Sequence, residues 1–373
     1  MIEIHDREAL HAHLRLAGNL RGVVCQGLDL AADSARLMAA DCAGAVFLGC
    51  VLEAAVQAHV VGCGGLVFPR IPDLPYRPFR PRLYDLEELM EGYVRGRPGS
   101  FAGARDSLIY RHVQRHRRTG GASILEALAQ RLHDHAIDDA LAEWLAGKEV
   151  AAIMGGHAME RGTEPYRAVA EIGRALSRAG LYVATGGGPG AMEAGNLGAW
   201  LAPYPDEALD AALAVLARQP SYRAAGYLDC GFEVRDRFPH GGLSLAVPTW
   251  FYGHEPTNVF ASHIAKYFAN SLREDGLLAI ATRGVIYAPG SAGTVQEIFM
   301  DACQNHYGTF ELVSPMIFYG VRYWTEVQPV YPVLKRLAGE RQYARLIAIS
   351  DDPAEIAGRL LELEPVPYLE TLP

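Results

Sequence analysis

A chain of 373 residues, half of them hydrophobic and 21% charged, has the composition of a soluble globular protein of two or three structural units. A formal net charge of −9 with scattered basic residues leaves no cationic stripe for duplex nucleic acid or an anionic membrane surface. The start, Met1-Ile2-Glu3-Ile4-His5-Asp6, lacks a secretory signal and no apolar run approaches the roughly 20 residues that cross a bilayer, so a cytoplasmic protein is expected; its six cysteines form no C-x-x-C pair and read as free thiols.

Residues 1 to 68 are rich in Ala, Gly, Cys and Val. Their small and apolar residues are loosely spaced, but no period holds long enough to define a repeat, and the fold of this stretch is left open. "PRIPDLPYRPFRP", residues 69 to 81, has five prolines that remove backbone donors and fix φ, so it reads as an extended connection closing an N-terminal region of residues 1–82.

Residues 83–147 read as a helical segment. In "SILEALAQRLHDHAIDDALAEWL", Ile124, Leu125, Leu128, Leu132, Ile137, Leu141 and Leu145 return at helical intervals, and Ser123 with Glu126 fits a capping box. The preceding "YRHVQRHRRTGG" reads as a solvated helix face ending at Gly120-Gly121, the other reading being an arginine that reaches an anionic ligand from a neighbouring subunit.

From residue 148 to 373 strands alternate with helices. "EVAAIMGG" reads as a strand, "EPYRAVAEIGRALSRAG" as an amphipathic helix, "LYVATGGGPG" as strand and turn, and "AMEAGNLGAWLA" as a helix. A surface helix is expected within residues 203 to 222. After it come the strand "GLSLAVPTW", the loop "FYGHEPTN", a helix over "VFASHIAKYFANSLRE", the strand and helix of "VIYAPGSAGTVQEIF", the strand "SPMIFYG", a helix near Val333 to Leu337, and "LIAISDDPAEIAGRLLEL". This alternation predicts an α/β fold, a Rossmann-like doubly wound parallel sheet, with ligand bound where the strands' carboxyl ends meet helix N-termini.

Two glycine-rich turns sit at such ends. In "TGGGPGAME" the glycines permit positive φ and close backbone approach, and the helix that follows aims free N–H groups at the same point, which makes a phosphate or carboxylate cradle; glycine turns also serve simply to pack a strand on a helix. The spacing from Gly186 to Ala191, with Asp206 about 20 residues on, also resembles a dinucleotide fingerprint. Against that stand its place on a second strand, the prolines before Asp206, and a second comparable loop, which suits a mononucleotide.

In "PGSAGTVQE", Gly290, Ser291 and Gly293 form the second turn, with Thr294 offering hydroxyl and N–H to an anion. Glu297, one turn further, either complements the helix dipole or reaches the ribose. There a carboxylate orients water and stabilises the positive charge that develops on C1′ as an N-glycosidic bond breaks.

"PGSAGTVQE" resembles the PGGxGTxxE signature of the "lonely guy" family of nucleotide 5′-monophosphate phosphoribohydrolases. "GGGPGAMEAGNLGA", "IMGGHAM" and the loop "HEPTNVF" are similar to elements of its larger bacterial members, the purine/pyrimidine nucleotide 5′-monophosphate nucleosidases. The likeness spans roughly residues 148 to 360. It implies hydrolysis of a nucleoside 5′-monophosphate, AMP-like, to free base and ribose 5-phosphate by a homo-oligomer with neither cofactor nor metal.

By the same resemblance Glu297 and Arg273 are catalytic, Lys266 or Arg283 being alternative cations. Gly155, Gly156 and His157, then Gly187, Gly188, Gly190, Met192 and Glu193, then Asn258, and finally Gly290, Ser291, Ala292, Gly293 and Thr294 bind the nucleotide. Ser291 departs from the signature's second glycine, and Gln296 stands where many members carry a further glutamate. An old lysine decarboxylase label among relatives does not transfer, since none of Lys148, Lys266 and Lys335 sits in a pattern typical of pyridoxal phosphate.

Other residues admit two readings. His157 either touches ligand or caps the next helix; Asn258 either bonds a base or ribose or caps a helix beginning near Val259; Trp250 and Tyr252 either stack on a base or pack under a loop. His240, His254 and His263 with Glu255 match no standard metal spacing and read as solvated loop residues. Two further functions stay open: a non-catalytic nucleotide sensor on the same fold, and an NAD(P)-dependent oxidoreductase.

Overall fold

The computed structural model describes residues 2–97, 99–118, 121–253 and 255–369, which form two compact units: Met1–Leu83 with Arg111–Trp144, and Tyr84–Tyr110 with Leu145–Pro373. The helical segment expected over residues 83–147 is thus divided between them. Gly120 and His254 lie outside the described residues. Among the described residues no helix is long and apolar enough to cross a membrane.

The first unit contains a repeat. Strands β1 (Ile2–Ile4), β2 (Val23–Gln26), β3 (Val46–Leu48) and β4 (Leu66–Phe68) lie side by side in chain order, all parallel. Helices α1 (Arg7–Ala17), α2 (Ser34–Ala39) and α3 (Ala54–Gly62) return the chain between them. Val24 pairs with Val46, Asn19 with Asp41 and Asp29 with Val51, each step one coil of 22 residues. The buried positions keep this period: Leu20 and Cys42, Val23 and Ala45, Cys25 and Phe47, Leu28 and Cys50, Leu30 and Leu52. The period escapes a reading of the sequence because four of these five buried pairs differ in type and the four strands make only three coils. Burial also explains the thiols; it pushes Cys25 up to about 12 and Cys42 up to about 11, leaving both protonated and inert.

After α4 (Leu86–Leu89) comes α5 (Arg105–Arg118), then α6 (Ile124–Leu145). In α6 the expected apolar stripe is only half used. Ile124 is 92% exposed and Leu125 and Leu128 are exposed, whereas Glu126, Ala129, His133, Asp134, Ile137 and Leu141 are buried. The Ser123 hydroxyl does accept from the Glu126 N–H at 3.2 Å, but the Glu126 carboxylate turns to Tyr76, His112 and Gln130 instead of closing a capping box.

The second unit is an α/β doubly wound sheet. In chain order it contains β5 (Val150–Met154), α7 (Glu164–Arg178), β6 (Tyr182–Thr185), α8 (Ala191–Trp200), α9 (Glu207–Leu216), α10 (Tyr227–Arg237), β7 (Ser244–Ala246), β8 (His263–Ile264), α11 (Asn270–Ile280), β9 (Gly284–Tyr287) and α12 (Ala292–Tyr307). β10 (Leu312–Val313), β11 (Met316–Tyr319), α13 (Val330–Ala338), β12 (Ile347–Ser350), α14 (Pro353–Glu362) and β13 (Val366–Pro367) follow. The seven-stranded sheet runs β12-β11-β9-β5-β6-β7-β8 with every pair parallel.

Chain order therefore reverses between β5 and β9, the switch point at which such sheets open a crevice. α7 and α8 cross almost backbone to backbone. A Cβ on Gly198 would strike the Ala170 carbonyl, and one on Gly173 the backbone of Gly195.

Two expected elements differ. The helix over "VFASHIAKYFANSLRE" is a turn, the strand β8 and then α11, which starts only at Asn270. Val259, Phe260, Ala261, Ile264, Ala265, Tyr267 and Phe268 are all buried, and a run without a polar side suits a covered edge better than a surface helix. α9 lies where a surface helix was expected, yet Leu209, Leu213 and Leu216 are buried.

Candidate active site

The strand ends around the switch point surround a cavity of about 490 Å³, inside the ~300–1,000 Å³ range of small-molecule sites. Its floor is backbone. The Gly156 N–H donates to the Pro289 carbonyl at 3.0 Å, joining the β5 and β9 turns, and the Ala191 N–H donates to the Gly156 carbonyl at 3.1 Å. Tyr323 holds the Gly290 carbonyl through its hydroxyl at 2.7 Å. A Cβ on Gly290 would meet the Thr294 side chain, so this glycine is required by close approach. Ser291, the departure from the signature, has φ −103°, which any residue adopts without strain; it is the N-cap of α12, and its side chain makes no capping bond. The first turn of α12, with Ser291, Ala292, Gly293 and Thr294 on the cavity wall, thus presents the positive end of a helix of 16 residues.

Glu297 and Arg273 meet at the centre. The Arg273 Nη1 donates to Glu297 Oε1 at 3.0 Å, and its Nε donates to the Val247 carbonyl at 2.9 Å. Its second Nη packs on Gly186, where any Cβ would collide with it. Burial raises the Glu297 pKa; Arg273 pulls the other way and neighbouring Glu274 adds to the rise. Glu274 accepts from Gln296 at 2.8 Å and from the Tyr252 hydroxyl at 3.2 Å. A second carboxylate therefore lines the cavity beside the first, on α11 and not on the signature helix.

At the β7–β8 side the wall is Pro248, Thr249, Thr257 and Lys266. Lys266, 2% exposed, donates to Asp106 at 2.7 Å and to Thr257 at 3.1 Å, and Trp250 donates its indole N–H to the same Asp106 at 2.8 Å. His157 faces Glu255 at 3.6 Å, a carboxyl that burial raises above its ordinary range.

Of the expected site residues, Gly155, Gly156, His157, Gly187, Gly188, Met192, Arg273, Ser291, Ala292, Gly293, Thr294 and Glu297 line the cavity together. Gly190, Glu193, Asn258 and Gly290 do not, and each supports it instead. Gly190 takes φ 72°, and a Cβ there would strike the Gly156 carbonyl and the His157 backbone. Glu193, buried, accepts from Arg161 at 2.8 and 2.5 Å, Tyr166 at 2.8 Å and Tyr227 at 2.7 Å, so its carboxylate is fully engaged away from the cavity. Asn258 accepts from the Phe260 and Ala261 N–H groups and donates to Asn196 at 3.0 Å, capping a turn where a helix start was expected.

Arg283 lies beside Glu149 at 3.8 Å and does not line the cavity. Asp206 is exposed and paired with Arg178 at 2.7 Å, outside the cavity, so the acidic residue of the dinucleotide fingerprint is not where a ribose would need it. Trp250 is buried against Phe268, while Tyr252 lines the cavity mouth. His240 and His263 do not join Glu255 there. Sequence reasoning missed Glu274, Thr249 and Thr257, and named Lys266 only as an alternative cation.

No protein-family model matches the chain, and no curated protein matches it. Solved structures do. Over 58% of this chain it is similar to a molybdenum cofactor carrier protein from Chlamydomonas reinhardtii (16% identity, 99% of that chain, TM-score 0.36) and to a molybdenum cofactor binding protein from Rippkaea orientalis (14%, 96%, 0.34). It is similar over the same share to TM1055 (19%, 99%, 0.37).

Proposed function

We propose that the chain hydrolyses the N-glycosidic bond of a nucleoside 5′-monophosphate. The observation that carries this reading is the buried Glu297–Arg273 pair at 3.0 Å, set one turn inside a helix whose N-terminus opens on the same cavity. The phosphate sits at the Ser291–Thr294 turn and the Gly155-Gly156 backbone, where N–H donors and the helix dipole converge. That anchors the ribose beside Glu297. Ionised, Glu297 faces C1′ and stabilises its growing positive charge while accepting a proton from the attacking water; Arg273 holds the carboxylate in place and favours its charged form. The C1′–N bond breaks, its electron pair leaves with the base, the water oxygen bonds to C1′ and keeps one proton as the new hydroxyl, and the proton taken up by Glu297 passes to the departing base, which returns the carboxylate to its charged form. Met192, Tyr252 and Lys266 line the remaining wall, which receives the base.

The test is incubation with ribo- and deoxyribonucleoside 5′-monophosphates, assaying free base and ribose 5-phosphate, beside Glu297→Gln. The expected result is release of base from at least one nucleotide and a loss of 10²-fold or more in the variant. Absence of release from every nucleotide, with one of them still raising the melting temperature, leaves a binding protein and overturns the hydrolase.

A further inference from the structure

The first unit holds a cluster that the proposed reaction does not use. His112 and His116 stand one turn apart on α5, the i, i+4 spacing that sets two imidazoles on one side of a helix. Facing them is Glu126, from the first turn of α6. His112 Nε2 lies 3.0 Å from Glu126 Oε2, and one ligand atom from each of the three residues falls within 4.8 Å of the others.

The carboxylate is oriented. Its Oε1 accepts from the Tyr76 hydroxyl at 3.0 Å and from Gln130 at 2.9 Å, which leaves Oε2 as the oxygen turned to the imidazoles. Glu126 itself is 4% exposed, and the two histidine rings stand edge to face at 4.7 Å. An oxygen anchored by two donors while its twin faces nitrogen ligands is the arrangement that outer hydrogen bonds impose on a metal-binding carboxylate.

We propose that His112, His116 and Glu126 bind a divalent transition-metal ion of the zinc class. Ligand atoms at ~2.0–2.1 Å from a tetrahedral ion are about 3.3 Å apart. The His112–Glu126 spacing already fits that, and His116 closes the rest by turning its side chain. Two neutral imidazoles and one carboxylate suit zinc, cobalt or nickel; magnesium and calcium require oxygen ligands. Three protein ligands leave one position for water or an exchangeable ligand. A network of hydrogen bonds alone is satisfied by His112, whereas a metal requires His116 as well, and this difference makes the proposal testable. Arg111, Arg115, Arg117 and Arg118 on the same helix oppose a cation, so the site depends on its inner ligands and not on the surrounding charge.

The untagged 373-residue chain, stripped with chelator, is titrated with cobalt(II) and then zinc. The expected result is one cobalt per chain with the visible absorption of a low-coordinate ion, displaced by zinc, and weakened at least about tenfold by His116→Ala with the circular dichroism unchanged. Tyr76→Phe, which removes an orienting hydrogen bond but no ligand, is expected to weaken cobalt about tenfold, and it serves if His116→Ala does not fold. Absence of the absorption at stoichiometric cobalt, or cobalt binding at full strength in both variants, would overturn the site.

Discussion

At the scale of single residues, the site depends on contacts that leave no room. Gly186 has the Arg273 guanidinium and the Met192 sulfur where its Cβ would lie. Gly186→Ala therefore displaces Arg273 from Glu297 without replacing either residue. The expected outcome is a loss of base release approaching that of Glu297→Gln with nucleotide binding largely kept, read from kcat and from ligand-induced shifts in melting temperature. Full activity in this variant would mean that the guanidinium is not needed where it stands.

Asp301, one turn beyond Glu297 and fully buried, bonds the Tyr287 hydroxyl at 2.7 Å and Asn305 at 3.0 Å; burial raises its pKa from 3.8 to about 7 against the pull of Tyr287. Its folded pKa lies above its unfolded one, so its contribution to stability is complete below pH ~4 and is lost as pH rises to about 7. The loss is on the order of a few kcal/mol, at about 1.4 kcal/mol per unit. Asp301→Asn is expected to flatten that slope, measured as urea midpoints between pH 4 and 8, and an unchanged slope would show that another group produces it.

At the scale of elements, the second unit was legible where β6 and β9 run into glycine turns from which α8 and α12 begin, so that a local pattern and a local structure coincide. Glu297, Thr294 and both glycine turns follow from that directly. Lys266 and Thr257 were obscure for a physical reason: they lie in a buried run whose apolar residues fit a helix and a strand equally well, and Lys266 depends on Asp106, about 160 residues earlier and in no shared pattern. Glu274 was hidden likewise, since its partners Gln296 and Tyr252 come from separate elements.

In the first unit the coil went unread because Cys42 replaces Leu20 and Phe47 replaces Cys25 from one turn to the next. Packing keeps the volume shared between coils, not the residue type. Phe47, fully buried on β3 between two neighbouring coils, carries much of that volume. Phe47→Ala is expected to cost about 3–5 kcal/mol in denaturant unfolding of the full chain. A cost under ~1 kcal/mol would mean that the coils do not share one core.

At the scale of the whole molecule, the chain passes between its two units three times, after Leu83, Tyr110 and Trp144. No single cut separates them. A fragment starting at Tyr84 keeps residues 111–144 but loses the rest of their unit, including Tyr76, whose hydroxyl donates to Glu126 and whose ring stands edge-on to His112 and His133. Such a fragment is expected to bind an apolar dye that the full chain does not. Equal dye binding with an unchanged melting profile would show that the second unit tolerates those helices unaided.

The same threading sets a schedule during synthesis. Asp106 is among the first residues of the second unit to be made, and its cation Lys266 follows about 160 residues later. At ~5–20 residues per second the wait is on the order of 10–30 s. Through that interval Tyr84 waits without its Ile264 bridge partner and Asp106 without its counter-charge, while the N-terminal coil is already complete. The cavity is consequently a late product of translation, closed only after α12 emerges, and a nascent chain stalled before Asn270 would carry the N-terminal coil finished and the Glu297–Arg273 pair unmade.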